Sequence, residues 1–458
     1  MSDLSQFRRL TETVGPENVI FDMDPLRQSG WEGDLPKAFV TPSSRERVCE
    51  VMRLAQTERW RVAPAGNGTK QRLGGTPRGI DLVVSLRRLN RITDYEPADL
   101  TVTVEAGLRI RELGAAIRGN GQMVPLDVPF STEATVGGVM ATNGSGPRRL
   151  GYGSLRDMVI GVHFVTSDGK LVKSGGKVVK NVAGYDMGKM LIGSFGTLGI
   201  ITGVTFKIFP IPPVSVTLVL GFRSAKQALQ ATHRILNSPL TPQALDLFDS
   251  AAGSLLSGIF SKQDSLSASP FNLAVHAAGP EAVVERVRRE LPLLVRQDGP
   301  ERISCLAGES GSNLWSAIQD LTPSVLHLAP NAAVIKASVV LSQIGMVIDG
   351  VRHAASNNSL SLATLARAGT GVVYCYLWPR AETDHSSWNE RLARACEFLQ
   401  EETSRMGGCA VVEWCPPEVK TKINLWAPLR DDFPLMQRLK AQLDPDGILN
   451  PGRLYGRI

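Results

Sequence analysis

The sequence has no run of about 18 uncharged apolar residues, so it offers no membrane-crossing helix. Its six cysteines stand at 49, 305, 375, 396, 409 and 415 and form no C-x-x-C pair. That spacing excludes a zinc ribbon or a cluster-binding ferredoxin module within the chain, and free thiols in a reducing compartment are the simplest reading. The six histidines (163, 233, 276, 327, 353 and 385) are too dispersed to make a local zinc motif. There is no G-x-S-x-G elbow for a serine hydrolase, no Walker A loop and no G-x-G-x-x-G after the first strands. Internal repeats, low-complexity stretches and long blocks of like charge are also missing. Lys and Arg number 50 against 44 Asp and Glu, a surplus of +6 that is mild over 458 residues and gives no nucleic-acid footprint. The densest basic cluster, Arg286, Arg288 and Arg289, is flanked by Glu285 and Glu290 and reads as a solvated helix face. Met1 to Leu10 is polar and lacks the apolar core of a signal peptide, so a cytoplasmic protein is expected.

What the chain has in excess is glycine: 44 residues, 19 of them between positions 101 and 200. Such a concentration means that backbone geometry is specified there more than side chains. Around it the pattern alternates. Ala38 to Thr41, Arg61 to Pro64, Asp81 to Leu86 and Thr101 to Glu105 read as strands, with helices from near Ser43, where Glu46 completes a capping box, and over Arg109 to Arg118. Met158 to Thr166 and Leu171 to Lys173 read as a hairpin turning at Ser167-Asp168-Gly169. Asp186 caps a short helix over Met187 to Ile192, and Ile200 to Phe209 is a strand ended by Pro210, Pro212 and Pro213. That proline cluster is the expected domain boundary. Beyond it, strands at 214–222, 272–277, 332–340, 371–378 and 410–414 alternate with helices at 225–236, 281–291 (stopped by Pro292), 343–355 and 388–405. The pattern predicts an α+β layer with helices on one face of an antiparallel sheet; periodicity alone also allows a parallel one. A helix and a turn-rich tail fill 434–458.

Three segments carry chemistry. Pro64-Ala65-Gly66-Asn67-Gly68-Thr69-Lys70 follows a strand, and its glycines let successive amides converge on an anion; a plain connecting loop is the alternative. Ser131 to Gly138, continued by Ala141 to Gly146, offers hydroxyls and bare main chain to a flat or polyanionic ligand, or forms a set of tight turns. Lys180-Asn181-Val182-Ala183-Gly184-Tyr185-Asp186 and Gly193 to Thr202 combine glycines with Ile200 and Ile201, which are either ring-facing or core residues. Taken together the loops favour a dinucleotide.

These segments, in this order and spacing, resemble the FAD-binding domain of the vanillyl-alcohol oxidase type, also called PCMH-type, over about residues 36–210. The tail Leu443-Asp444-Pro445-Asp446-Gly447-Ile448-Leu449-Asn450-Pro451-Gly452-Arg453 is similar to the closing signature of FAD-linked 2-hydroxy-acid oxidases, and Gly175 to Asp186 with Gly193 to Gly199 is most like GlcE-type subunits of glycolate oxidase. The resemblance implies an α+β fold, in which a two-subdomain PCMH-type FAD-binding domain carries an α+β cap domain. The expected divisions are an N-terminal segment 1–35, the FAD-binding domain 36–213, the cap 214–430 and a returning C-terminal segment 431–458. By the same resemblance Ala65, Gly66, Asn67, Gly68, Thr69 and Lys70, with Thr135, Val136, Gly137 and Gly138, hold the pyrophosphate. Pro125 and Asp127, with Thr142, Asn143, Gly144 and Ser145, line the flavin side; Gly199, Ile200 and Ile201 meet the adenine end; Asn450 returns near the isoalloxazine. These segments contain no histidine or cysteine, so FAD is expected to be non-covalent, and no metal is expected.

The chain departs from the family's self-sufficient members. It lacks their histidine-containing G-D-G-N-x-H signature, and Phe195 stands where they carry Glu. A 2-hydroxy acid needs a base for its hydroxyl proton and cations for its carboxylate, and the catalytic residues stay unassigned. The resemblance therefore implies an FAD-binding subunit of a glycolate oxidase-type complex, working with a catalytic flavoprotein subunit and an iron–sulfur subunit on glycolate or another small 2-hydroxy acid. The complex is expected in the cytoplasm, any membrane association coming through partners. The alternatives are a stand-alone FAD-dependent 2-hydroxy-acid dehydrogenase, with Arg367, Tyr374 and Tyr376 as candidates for its pocket, and an FAD-holding structural subunit without turnover.

Overall fold

The computed structural model describes residues 7–28, 31–177, 185–257, 268–380, 387–455 and 458, and the chain divides into two compact units. The first comprises Met1–Gly144, Ser154–Ile211 and Leu429–Ile458; the second comprises Ser145–Gly153 and Pro212–Pro428. Residues 180–184 of the third sequence motif and His385 lie outside the described residues.

In the first unit, β1 (Val19–Ile20), β2 (Ala38–Val40), β3 (Val62–Ala65) and β4 (Leu82–Ser85) form a sheet in the order β1-β2-β4-β3. β4 pairs parallel with both β2 and β3, as strands linked by a crossover helix do. That helix is Arg45–Thr57, and it buries Val48, Val51, Met52 and Ala55. Its cap is Ser44, one residue beyond the expected Ser43: Ser44 is extended (φ −149°) and its hydroxyl accepts from the Arg47 amide at 3.3 Å.

A second, antiparallel sheet holds β5 (Ile92–Glu96), β6 (Thr101–Glu105), β8 (Val159–Val165), β9 (Leu171–Gly175) and β10 (Ile200–Lys207), in the order β5-β6-β10-β8-β9. The short pair β7 (Gln122–Met123) and β11 (Phe209–Pro210) stands apart. The β8–β9 hairpin turns through Gly169 (φ +73°), where a Cβ would lie 2.5 Å from the Cys49 carbonyl, so only glycine fits. Asp186 caps Met187–Leu191 by accepting from the Lys189 amide at 3.2 Å.

The second unit is built on one eight-stranded sheet, antiparallel throughout: β12 (Val214–Phe222), β13 (Ala244–Asp249), β14 (Phe271–Gly279), β15 (Arg302–Ala307), β16 (Ala333–Ser338), β17 (Leu360–Arg367), β18 (Val372–Pro379) and β19 (Cys409–Trp414). Their order is β15-β12-β14-β13-β17-β18-β16-β19. Register sorts the side chains. One face carries Leu218, Leu220, Leu273, Val275, Leu247 and Ile335, all buried. The helices Ala225–Leu236, Glu281–Leu294, Ile344–Asn357 and Trp388–Arg405 pack against the sheet, and Arg352 of the third lies 4.5 Å over the Phe271 ring of the apolar face.

Two expectations need correction here. The helix expected to stop before Pro292 continues to Leu294, because Leu291 and Val295 are buried and Val295 still donates to the Leu291 carbonyl at 3.2 Å. Helices also reach the other face of the sheet. Trp315 of Gly308–Gln319 donates to Thr217 at 2.8 Å, and Thr322 of Leu321–Leu328 bonds the Tyr376 hydroxyl at 2.9 Å.

Candidate functional site

The first unit contains a cleft, and all three glycine-rich stretches contribute to it. β3 runs directly into its first wall, Pro64 to Gln71. In that wall the amides of Asn67, Gly68 and Thr69 donate to no backbone or side-chain acceptor among the described residues. Gly68 has φ +78°, a left-handed turn that glycine adopts without strain. The Asn67 side-chain amide fixes the loop to the Glu133 carbonyl at 2.9 Å.

The second wall is the helix Val136–Ala141 with its N-terminal approach. A Cβ on Gly137 would come 2.8 Å from that of Ala106, and the Gly137 amide donates to the Ala106 carbonyl at 2.7 Å. The third wall is stitched onto this helix: the Gly193 amide reaches the Met140 carbonyl at 3.1 Å and the Phe195 amide the Ala141 carbonyl at 2.9 Å. Phe195 adopts φ +54°, and its carbonyl accepts from the Asn450 side chain at 2.7 Å. The C-terminal tail thus closes the cleft. Lys440, on Phe433–Leu443, donates to the carbonyls of Thr197 (2.8 Å) and Leu449 (2.9 Å) and pairs with buried Asp444.

Of the residues singled out in the sequence, the cleft brings together Ala65, Gly66, Asn67, Gly68, Thr69, Lys70, Thr135, Gly137, Gly138, Thr142, Gly199, Ile201 and Asn450. Pro125, Asp127, Val136, Asn143, Gly144, Ser145 and Ile200 are not on its walls. Val136 and Ile200 are core residues, 1% and 0% exposed. A side chain at Gly144 would press on Val128 and Val139 at 3.1 and 3.3 Å, so its lack of one serves packing. Ser145 opens the segment that belongs to the second unit. Sequence reasoning missed Gln71, Leu86, Ala106, Phe195, Gly196 and Arg453. Phe195, Gly196 and Arg453 all stood inside quoted motifs but were assigned no role there, and the burial of Arg453 gave no local signal, since a charged residue ordinarily reads as exposed. Among the described residues the walls hold two cations, Lys70 and Arg453, and no carboxylate, histidine or cysteine.

The second unit carries a polar array on its other sheet face. Asp246 pairs across to Arg367, and Tyr374 stands directly opposite Lys336. Arg367 is 8% exposed, pairs with Asp246 and lies 5.7 Å over the Tyr374 ring. Lys336 is 3.7 Å from Glu413. Burial pushes the Tyr374 hydroxyl up, so it stays protonated at neutral pH. At the far end of this face Thr217 is 3.3 Å from His276. The array places hydroxyl, carboxylate and cationic groups side by side, with each cation already paired to a carboxylate.

Among the described residues no group of three or more His, Cys, Asp or Glu side chains can hold a metal ion, and no helix is long and apolar enough to cross a membrane. All six cysteines are free.

Two family models match the chain: the FAD binding domain over residues 36–175, and the C-terminal domain of FAD linked oxidases over 211–454. Among curated relatives, the glycolate oxidase subunit GlcD of Bacillus subtilis is 26% identical over 98% of this chain and 96% of its own length. The D-2-hydroxyglutarate dehydrogenase of Xanthomonas citri is 26% identical over 92% of this chain and 89% of its own. The glycolate oxidase subunit GlcE of Escherichia coli is 34% identical, over 46% of this chain and 60% of its own. Among solved structures, p-cresol methylhydroxylase superposes with a TM-score of 0.79 over 98% of this chain and 96% of its own at 17% identity, which establishes the PCMH-type fold.

Proposed function

Since the chain belongs to the FAD-linked oxidases and is an FAD-dependent oxidoreductase, we propose that it is the FAD-binding subunit of a glycolate oxidase-type complex that oxidises a small 2-hydroxy acid, glycolate to glyoxylate. The residues present suit the cofactor. Three amides in Asn67 to Thr69 have no partner among the described residues and are free to receive an anion, two cations and no carboxylate line the cleft among those residues, and the walls at Gly66 and Gly137 leave no room for a Cβ. Ala65 to Lys70, with Thr135, Gly137 and Gly138, hold the diphosphate, Thr142 and Asn450 the flavin side, and Gly199 and Ile201 the adenine end. Bound FAD supplies a ring that accepts the two electrons and the hydrogen leaving the hydroxy-bearing carbon. Non-covalent binding belongs to this reading, supported by walls that offer no histidine or cysteine among the described residues. The first unit serves as the FAD-binding domain and the second as the cap.

One observation supports a subunit role: among the described residues, the cleft walls contain no carboxylate or histidine side chain to take the hydroxyl proton. A catalytic flavoprotein subunit and an iron–sulfur subunit complete the path from glycolate to an acceptor. The complex works in the cytoplasm, with membrane association supplied by those partners. The polar face around Arg367, Tyr374 and Lys336 favours a second reading, a dehydrogenase that turns over alone, with the guanidinium and ammonium receiving the carboxylate.

The visible spectrum of the purified, FAD-loaded chain, recorded anaerobically before and after glycolate or D-lactate, separates the readings. Flavin absorbance that bleaches only once the partner subunits are added supports the subunit. Bleaching by the chain alone supports the dehydrogenase, and a chain that takes up no FAD overturns both.

A further inference from the structure

Arg453 is 4% exposed, yet it makes no ion pair among the described residues. Its Nη1 donates to the carbonyls of Gln71 (2.8 Å), Leu73 (3.1 Å) and Gly75 (3.1 Å). Burial pulls its pKa down to about 10, opposed by the field of Glu32, a carboxylate already engaged by Arg72 at 2.9 Å. A guanidinium taken out of water without a counter-charge is costly, and carbonyl dipoles offset only part of the cost. The side chain also lines the cleft, whose walls hold no carboxylate.

The tail carrying Arg453 is built into the sheet that launches the first wall. Leu449 bridges Val62 in parallel, the Val62 amide donates to the Ile448 carbonyl at 2.7 Å, and the Asn450 amide returns to the Val62 carbonyl at 2.7 Å. Contact with the loop is close: a Cβ on Gly75 would sit 2.2 Å from the Gly452 carbonyl. By taking the carbonyls of Gln71, Leu73 and Gly75, the guanidinium fixes the end of a loop whose amides at Asn67 to Thr69 are unpartnered.

We infer that Arg453 is a cofactor-positioning residue: it holds the Gly66–Gln71 loop in its anion-receiving shape, and the diphosphate of FAD is the counter-charge for its buried guanidinium. Docking of the C-terminal tail and binding of the diphosphate are then linked, each strengthening the other. This rests on the reading of the cleft as the FAD site.

Charge and hydrogen bonding at position 453 are separable. Arg453→Gln keeps amide donors for the carbonyls and removes the charge; Arg453→Lys keeps the charge. Dissociation constants for FAD, ADP and riboflavin, measured on the apo chain by fluorescence and by thermal shift, give the result. Arg453→Gln is expected to weaken FAD and ADP by about tenfold or more while leaving riboflavin unchanged. Arg453→Lys is expected to bind FAD close to normally at pH 7 and to lose affinity as pH rises toward 9.5, because a buried lysine gives up its proton well before arginine does. The unmodified chain shows no such fall beyond that of FAD itself. The lysine variant alone suffices if the glutamine variant does not fold. Equal losses for riboflavin and FAD, or an Arg453→Lys affinity that tracks the unmodified chain across this pH range, overturn the inference. Failure of the unmodified chain to bind FAD at all would instead remove the assignment of the cleft.

Discussion

Gly66 and Thr135 touch: a Cβ built on Gly66 would lie 2.1 Å from the Thr135 hydroxyl oxygen and 3.1 Å from its Cβ. Two loops separated by most of a sheet and a helix are packed main chain against side chain, and the cleft exists because neither yields space. Gly66→Ala must push Thr135 and the start of its helix aside. Overpacking of this kind costs about 1–3 kcal/mol. The expected outcome is a folded chain with a lowered thermal midpoint and little or no flavin absorbance after reconstitution. Retention of FAD at the unmodified level would show that the contact relaxes freely.

The flavin of the loaded chain is expected to leave on acid precipitation. Its walls supply no histidine or cysteine, so the yellow colour belongs in the supernatant and the pellet stays colourless. Colour retained in the pellet would mean a covalent bond to a residue outside the cleft described.

Part-buried Lys440 and fully buried Asp444 are paired inside a network. Asp444 also accepts from the amides of Ile448 (3.0 Å) and Leu449 (2.9 Å), and burial lowers the lysine's pKa. Lys440→Met leaves Asp444 charged and short of a partner, a loss of about 3–5 kcal/mol. Because Lys440 also holds the Thr197 carbonyl, FAD affinity should fall with stability. Denaturant titration with and without FAD measures both; a variant as stable as the unmodified chain contradicts the role given to the pair.

Acid sensitivity is expected from one imidazole. Burial, helped by the nearby charges of Arg45 and Lys173, depresses His163 from 6.5 to about 4. The native state therefore binds fewer protons than the unfolded one between those values. The imidazole's contribution to stability is fully present above pH 6.5 and is lost as pH falls toward 4. His163→Gln should flatten the thermal midpoint against pH over that window. An unchanged slope assigns the acid sensitivity elsewhere.

The cleft was legible in the sequence for a physical reason: where a ligand must approach main chain, the signal is the absence of side chains, and glycine writes that absence directly. Thr101 to Glu105 and the Asp186 cap were legible because their patterns are local. What the sequence hid was non-local. β13 carries Asp246 and Asp249 in an apolar run, which argues against a buried strand until the partners appear. Arg367 and Thr364 lie more than a hundred residues away, and Thr364 donates to Asp249 from both its amide and its hydroxyl. Arg453 is the same case, buried because carbonyls nearly four hundred residues upstream receive it. Gly144 misled in the opposite sense, its missing side chain serving the packing of Val128 and Val139 rather than a ligand.

A crystal structure of the chain grown with FAD tests the central claim most directly. The account predicts the diphosphate within hydrogen-bonding distance of the Asn67, Gly68 and Thr69 amides, with the Arg453 bonds to Gln71, Leu73 and Gly75 intact. FAD density elsewhere on the molecule, with this cleft left to water, would contradict it.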